Sequence, residues 1–230
     1  MSSRVRKPML AVSVVAALSL VALTAIVLAH PFLPEDAAIE KDVQSVNVGP
    51  FLYVFGFYQA IGGPMGAVAE AIVFGIVLLL NRAAWRLLIA AALASGWYYV
   101  ISHLVTRPRP AVPEVLRVTE HPGASSYPSG HMILFIFYAV TLMLCVGYRY
   151  LPRRWRPYGW AAAVVLVLIG GVSRMYSGAH WPSDVLAGAL IAVAWLGLVV
   201  SIRSISDPVL AARERSHVPP VASAKPSPVA

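Results

Sequence analysis

Residues 125–146 read SSYPSGHMILFIFYAVTLMLCV: a polar opening containing Ser129, Gly130 and His131 runs without a charged residue into an apolar stretch. Such a run has the composition of a membrane-spanning helix, because a bilayer core takes about 20 apolar residues of α-helix to cross. Working outward, further stretches come close to the same requirement. The chain is therefore expected to be all-α and polytopic, with six transmembrane helices in a bundle: Met9 to Ala29, Pro64 to Leu80, Ala83 to Leu104, Ser129 to Tyr148, Tyr158 to Met175 and Pro182 to Ile202.

Composition agrees. The 230 residues are 59% hydrophobic and 12% charged, whereas a soluble domain carries about 25% charged residues. Lys and Arg exceed Asp and Glu by 18 to 10. They cluster beside the apolar runs, so orientation in a membrane explains them and no nucleic-acid partner is expected. The single cysteine, Cys145, lies inside an apolar run and cannot form an intramolecular disulfide.

The first run follows MSSRVRK, so a cleaved signal peptide is an alternative; its apolar core exceeds the roughly 7 to 15 residues of a signal, and it is read as a helix. With the N-terminus inside, thirteen of the eighteen basic residues fall on inner segments, among them Arg4, Arg6, Lys7, Arg82, Arg86, Arg149 and Arg153. Residues 1–8 are then a cytoplasmic N-terminus, 9–202 the membrane domain and 203–230, rich in Pro, Ser and Ala, a disordered cytoplasmic tail. Residues 43–62, with a short apolar core but many Phe and Tyr, are expected on the outer leaflet.

This topology gathers polar residues from two outer loops at one depth: Arg107, Arg109, Ser129 and His131 from one, Ser173, Arg174, His180 and Asp184 from the other. In PSGH, Ser129 is placed to cap a helix whose free amides attract anions, and Gly130 permits close approach of a ligand; a plain cap with an interfacial histidine is the alternative. In SRMYSGAHWPSD, Asp184 stands four residues after His180. It can share a helix face with that ring and accept its Nδ1 proton, leaving Nε2 for substrate; the alternative is a carboxylate that complements the helix dipole. In TRPRP, Arg107 and Arg109 present guanidinium groups suited to phosphate or, alternatively, snorkel at a helix end.

Arg109-Pro110, then Pro128-Ser129-Gly130-His131, then Ser173-Arg174 with five residues before His180 and three before Asp184, together resemble the signature of the type 2 phosphatidic acid phosphatase superfamily. The resemblance covers roughly residues 64–202, with the signature between 102 and 184. It implies a metal-independent phosphatase without cofactor, in which His180 attacks phosphorus to give a phosphohistidine. His131 protonates the leaving oxygen and then activates water, Asp184 orients His180, and Arg109, Arg174, Ser129 and the Gly130 amide hold the phosphate. One position departs from the pattern: where the family has a lysine, seven residues before the motif arginine, this chain has Ser102. His103 and Arg107 are the accessory candidates to replace it.

The function expected is hydrolysis of a phosphate monoester or diphosphate on a lipid, of the prenyl diphosphate or phosphatidate type. The location expected is the extracytoplasmic side of the plasma (inner) membrane, with membrane lipids as surroundings. Alternatives are a lipid phosphotransferase and a non-catalytic membrane scaffold of the same fold. Glu70, inside the second span, either reaches water or contacts His103 or a site arginine.

Overall fold

A computed structural model describes residues 4–120 and 123–211, and every named element within them is helical. In chain order these are α1 (Lys7–Ala29), α2 (Pro34–Ser45), α3 (Leu52–Gly62), α4 (Gly66–Leu80), α5 (Trp85–Ala92), α6 (Ala94–Leu104), α7 (Gly130–Leu142), α8 (Tyr148–Tyr150), α9 (Arg156–Tyr176), α10 (Pro182–Ser201) and α11 (Arg203–Ala211). A π-helical segment, Met143–Gly147, joins α7 to α8.

Among the described residues five stretches are long and apolar enough to cross a membrane: α1, Arg82–Leu104, Gly130–Tyr150, Arg153–Tyr176 and α10. The sixth expected span takes another form. Gly66–Leu80 has only 15 residues, and it becomes long enough only together with Gly49–Gly62, from which it is bent by 83°. The aromatic segment expected on the leaflet surface therefore also packs inward. Tyr58 is buried, donates its hydroxyl to the Leu166 carbonyl at 2.8 Å and meets the Phe135 ring edge-on, and Phe55 packs against Tyr176.

Large apolar side chains on the outside of the bundle, such as Leu18 at 65% and Leu79 at 82% exposure, would be a liability in water and are at home in lipid. At the centre runs α7, in which Met132, Ile133, Phe135, Ile136, Phe137 and Tyr138 are all buried. Helix α1 lies along α10 by way of small residues. Ser13 donates its hydroxyl to the Ala194 carbonyl at 2.6 Å, and a Cβ on Gly197 would stand 3.2 Å from Ser13. Close backbone approach of this kind is how helices associate where lipid supplies no hydrophobic drive.

The two ends of the bundle differ. At one end Val5 and Ile202 form an antiparallel bridge, and the Arg6 guanidinium pairs with Asp207. The tail expected to be disordered from 203 onward thus begins as a helix, α11, whose Val209 is buried; residues 212–230 lie outside the described residues, as do 1–3. At the other end meet the C-termini of α6 and α9, the N-termini of α7 and α10, the elbow between α3 and α4, and helix α2.

Candidate active site

A cavity of about 320 Å³ opens at that second end, lined among others by Gly62, Glu70, Tyr98, Arg109, Gly130, His131 and His180. The two histidine rings come together with centroids 6.5 Å apart, although 49 positions separate them in sequence.

His180 sits in the turn between α9 and α10 and is 4% exposed. Its Nδ1 lies 2.7 Å from the Ser126 carbonyl oxygen. A carbonyl only accepts, so Nδ1 carries the hydrogen and Nε2 keeps the lone pair. Burial holds the imidazole well below its usual pKa, reinforced by Arg174, Arg109 and His131 and only partly opposed by the Ser126 carbonyl. The ring is neutral at neutral pH, the state a nucleophile requires.

Asp184 does not accept that proton as expected: its Oδ2 lies 3.9 Å from His180 Nδ1, beyond a hydrogen bond but close enough to act through its charge. Oδ2 instead accepts the Trp181 N–H at 2.9 Å, fixing the first turn of α10, and Oδ1 accepts from Arg107 at 2.6 Å.

Arg109 crosses between the two loops. Its guanidinium donates to the carbonyls of Gly123 (2.8 Å), Ser125 (2.6 Å) and Ala179 (2.6 Å) while lining the cavity. Arg174, fully buried, gives both terminal nitrogens to Glu120 at 3.0 and 2.6 Å. Its Nε is one of the few buried polar atoms without a partner among the described residues, and Ser129 Oγ is another. Buried donors are almost always satisfied, so these two orphans suit an oxyanion, although neither Arg174 nor Ser129 is among the residues that line the cavity. Ser129 was expected to cap α7, but its side chain makes no cap bond; its N–H donates to the Asp184 carbonyl at 3.0 Å. A Cβ on Gly188 would stand 2.4 Å from the Ser129 carbonyl oxygen, so α10 reaches the PSGH turn only because position 188 is glycine.

His131 fills the elbow between α3 and α4. Its Nε2 is 3.4 Å from the Gln59 carbonyl, a long contact, and a Cβ on Gly62 would lie 2.2 Å from its Cδ2. Gly130 packs under the Tyr98 ring, where a Cβ would stand 3.2 Å away. Glu70 lines the cavity with Arg109 and both histidines, and the His103 ring bonds the Tyr99 carbonyl instead.

The accessory candidates do not join the site. Ser102 Oγ and His103 Nδ1 both turn to the Tyr99 carbonyl, and neither residue lines the cavity. Arg107, 1% exposed, donates to Asp184, Ser183, Asp36 and the Pro31 carbonyl and is likewise absent from the lining. It is a structural ion pair, and the site residues it touches it touches from behind. Sequence reasoning also missed Asp36, Glu120 and the Ser126 carbonyl. The last carries no side-chain signal, whereas Asp36, Glu40 and Gln44 recur every four residues in α2, a polar face visible in PEDAAIEKDVQS. Among the described residues no group of three or more His, Cys, Asp and Glu is arranged to hold a metal ion.

The model of the PAP2 superfamily matches residues 83–206 of this chain. An undecaprenyl-diphosphatase of Sulfolobus acidocaldarius is 33% identical over 131 residues, 56% of this chain and 55% of the relative. Lipid phosphate phosphatase delta of Arabidopsis thaliana is 30% identical over 122 residues, 50% of this chain and 29% of the relative. The chain thus spans about half or less of the length of these curated relatives. A crystal structure of a transmembrane PAP2-type phosphatidylglycerolphosphate phosphatase from Bacillus subtilis matches with a TM-score of 0.63 at 21% identity, covering 82% of this chain and 93% of that one. That likeness is one of fold.

Proposed function

Because the chain belongs to the PAP2 superfamily, we propose that it is a membrane-embedded phosphatase that hydrolyses a phosphate monoester or diphosphate of a lipid through a phosphohistidine. The observation that carries this reading is the neutral His180, whose Nδ1–H is tied to the Ser126 carbonyl, lining one cavity with His131 and Arg109. Nε2 of His180 attacks phosphorus as the bond to the leaving oxygen breaks, and His131 in its protonated form gives that oxygen a proton. Water then gives a proton to His131 and attacks the phosphohistidine, releasing inorganic phosphate and restoring His180. Arg109, the Nε edge of Arg174, Ser129 Oγ and the Gly130 amide stabilise the charge that develops on the phosphoryl oxygens. Asp184, 3.9 Å from Nδ1, stabilises the positive charge that the ring acquires.

The cavity's place at one end of the bundle suits a substrate whose anionic head reaches the interface while its tail stays in the bilayer. The basic residues at the opposite helix ends favour that other end being cytoplasmic, which supports an extracytoplasmic site.

The test is phosphate release by the purified chain from prenyl diphosphates, prenyl monophosphates, phosphatidate and phosphatidylglycerol phosphate, in excess EDTA. Release is expected from at least one of them, and His180→Ala is expected to lower it by about four orders of magnitude. No release from any lipid, or near wild-type release by His180→Ala, overturns the reading. Transfer of the phosphoryl group to an added lipid alcohol in preference to water would make the protein a phosphotransferase.

A further inference from the structure

Helix α2 lies outside the residues matched by the family model and outside every span, yet its Asp36, Glu40 and Gln44 are all buried against the site. Asp36 accepts three hydrogen bonds: from Arg107 Nη2 at 2.7 Å, from the Ser183 N–H at 2.9 Å and from the Ser183 hydroxyl. Arg107 gives its other terminal nitrogen to Asp184 Oδ1 at 2.6 Å and to Ser183 Oγ at 2.7 Å. One guanidinium therefore stands between two carboxylates, and only one of its nitrogens reaches Asp184.

We infer that Asp36 is a positioning residue for the nucleophile: by holding Nη2 of Arg107 it confines that guanidinium to one oxygen of Asp184 and leaves the other oxygen to act on His180. A guanidinium that faces a single carboxylate closes on it with two parallel hydrogen bonds. With Asp36 removed, Nη2 is free to turn to Asp184 Oδ2, the oxygen that lies 3.9 Å from His180 Nδ1 and caps the first turn of α10. Drawn into a two-nitrogen pair with Arg107, that oxygen does less to stabilise positive charge on the ring, and His180 becomes a poorer nucleophile. The far end of α2 is docked independently. Gln44 accepts the N–H groups of Leu116 and Arg117, both at 2.9 Å, and donates to the Met175 carbonyl beside Arg174 at 3.0 Å, so a change at Asp36 need not undock the helix.

The inference rests on His180 as the nucleophile proposed above, and the test includes a measurement that needs no substrate. Full-length protein is treated with diethyl pyrocarbonate near neutral pH, and acylation of His180 and His131 is followed peptide by peptide. In Asp36→Asn, His180 is expected to react about fivefold or more slowly while His131 stays within about twofold of wild type. With a lipid phosphate substrate, kcat is expected to fall about tenfold or more with KM within about threefold. Unchanged rates at His180, parallel changes at both histidines, or a raised KM at constant kcat would overturn the inference. Should Asp36→Asn fail to fold, Asp36→Ser decides, since it too removes the carboxylate that holds Nη2 of Arg107 while keeping a small polar group toward the Ser183 N–H. Slowing confined to His180 is expected, and equal rates overturn the proposal. If wild type releases no phosphate while His180 alone slows in Asp36→Asn, the functional reading fails and this inference stands; if wild type turns over and Asp36→Asn matches it, the reverse holds.

Discussion

Arg107 and Arg109 stand two residues apart in TRPRP, and the fold gives them opposite tasks. Arg107 is sealed between Asp36 and Asp184 and donates to charge. Arg109 lines the cavity and donates to the backbone carbonyls of Gly123, Ser125 and Ala179. The first neutralises carboxylates and so belongs to the framework. The second is oriented, where phosphate is proposed to bind, by neutral carbonyls, which do not cancel a guanidinium's charge as a carboxylate partner does. Two identical side chains are thus told apart by the charge of their partners.

The sharpest way to break that contrast is to truncate each. Removing one member of a buried ion pair strands the others, so Arg107→Ala is expected to lose about 3–5 kcal/mol of stability, read by denaturation in detergent. Arg109→Ala is expected to keep most of its stability and to bind vanadate more weakly by about a hundredfold, the scale of a lost oxyanion donor. Equal destabilisation by the two would erase the distinction.

Next in size, Gly62→Ala tests whether the cavity side depends on geometry as tightly as the Asp36–Arg107–Asp184 clamp depends on charge. The new Cβ, 2.2 Å from His131 Cδ2, must push the ring aside. A displacement of that order is expected to lower kcat by about tenfold to a hundredfold while vanadate affinity holds.

Smaller again is the effect of Glu40, buried behind the clamp, whose Oε2 has no partner among the described residues. Burial, together with Asp184 and Asp36, raises its pKa from 4.5 to about 9, with Arg107 opposing. A carboxyl that holds its proton more tightly when folded contributes stability fully below its unfolded pKa, and that contribution is lost as pH rises toward the folded one. Wild type should therefore lose stability from about pH 5 to about pH 8, by at most about 1.4 kcal/mol per pH unit. Glu40→Gln, which cannot ionise, should show a flatter profile; parallel profiles would mean that Glu40 does not titrate in this window.

The smallest effect belongs to Ser102→Lys. Position 102 turns toward the Tyr99 carbonyl and away from the cavity lining. Restoring the family's lysine is expected to change the vanadate inhibition constant by roughly 1 kcal/mol or less. A hundredfold tightening would show that the natural cradle lacks a cation it needs.

These variants also mark what could be read from the sequence. His131, His180, Asp184, Arg109, Arg174 and Ser129 stand at helix ends in fixed local spacings, so topology alone brings them to one end of the bundle. The partners of Arg107 could not be read that way. Asp36 lies 71 positions away on a helix that packs against α9 and α10, and a basic residue beside a phosphate motif gives no sign of facing backward. The break at Gly62 was hidden for a similar reason: hydropathy records that residues 49–80 are apolar but not that they turn by 83°.

The pairing of α1 with α10 has a consequence for biosynthesis. Helix α1 is made well before its partner α10, so it waits in the bilayer, with Ser13 and the backbone of Val5 unmatched, until translation has passed Ile202. The same delay applies to chemistry. His180 and Asp184 lie at the threshold of α10, and their supports Arg107, Ser126 and Asp36 are all made earlier. The nascent chain therefore carries a receiving frame without the proposed nucleophile, and its proposed activity switches on only when α10 inserts beside α1.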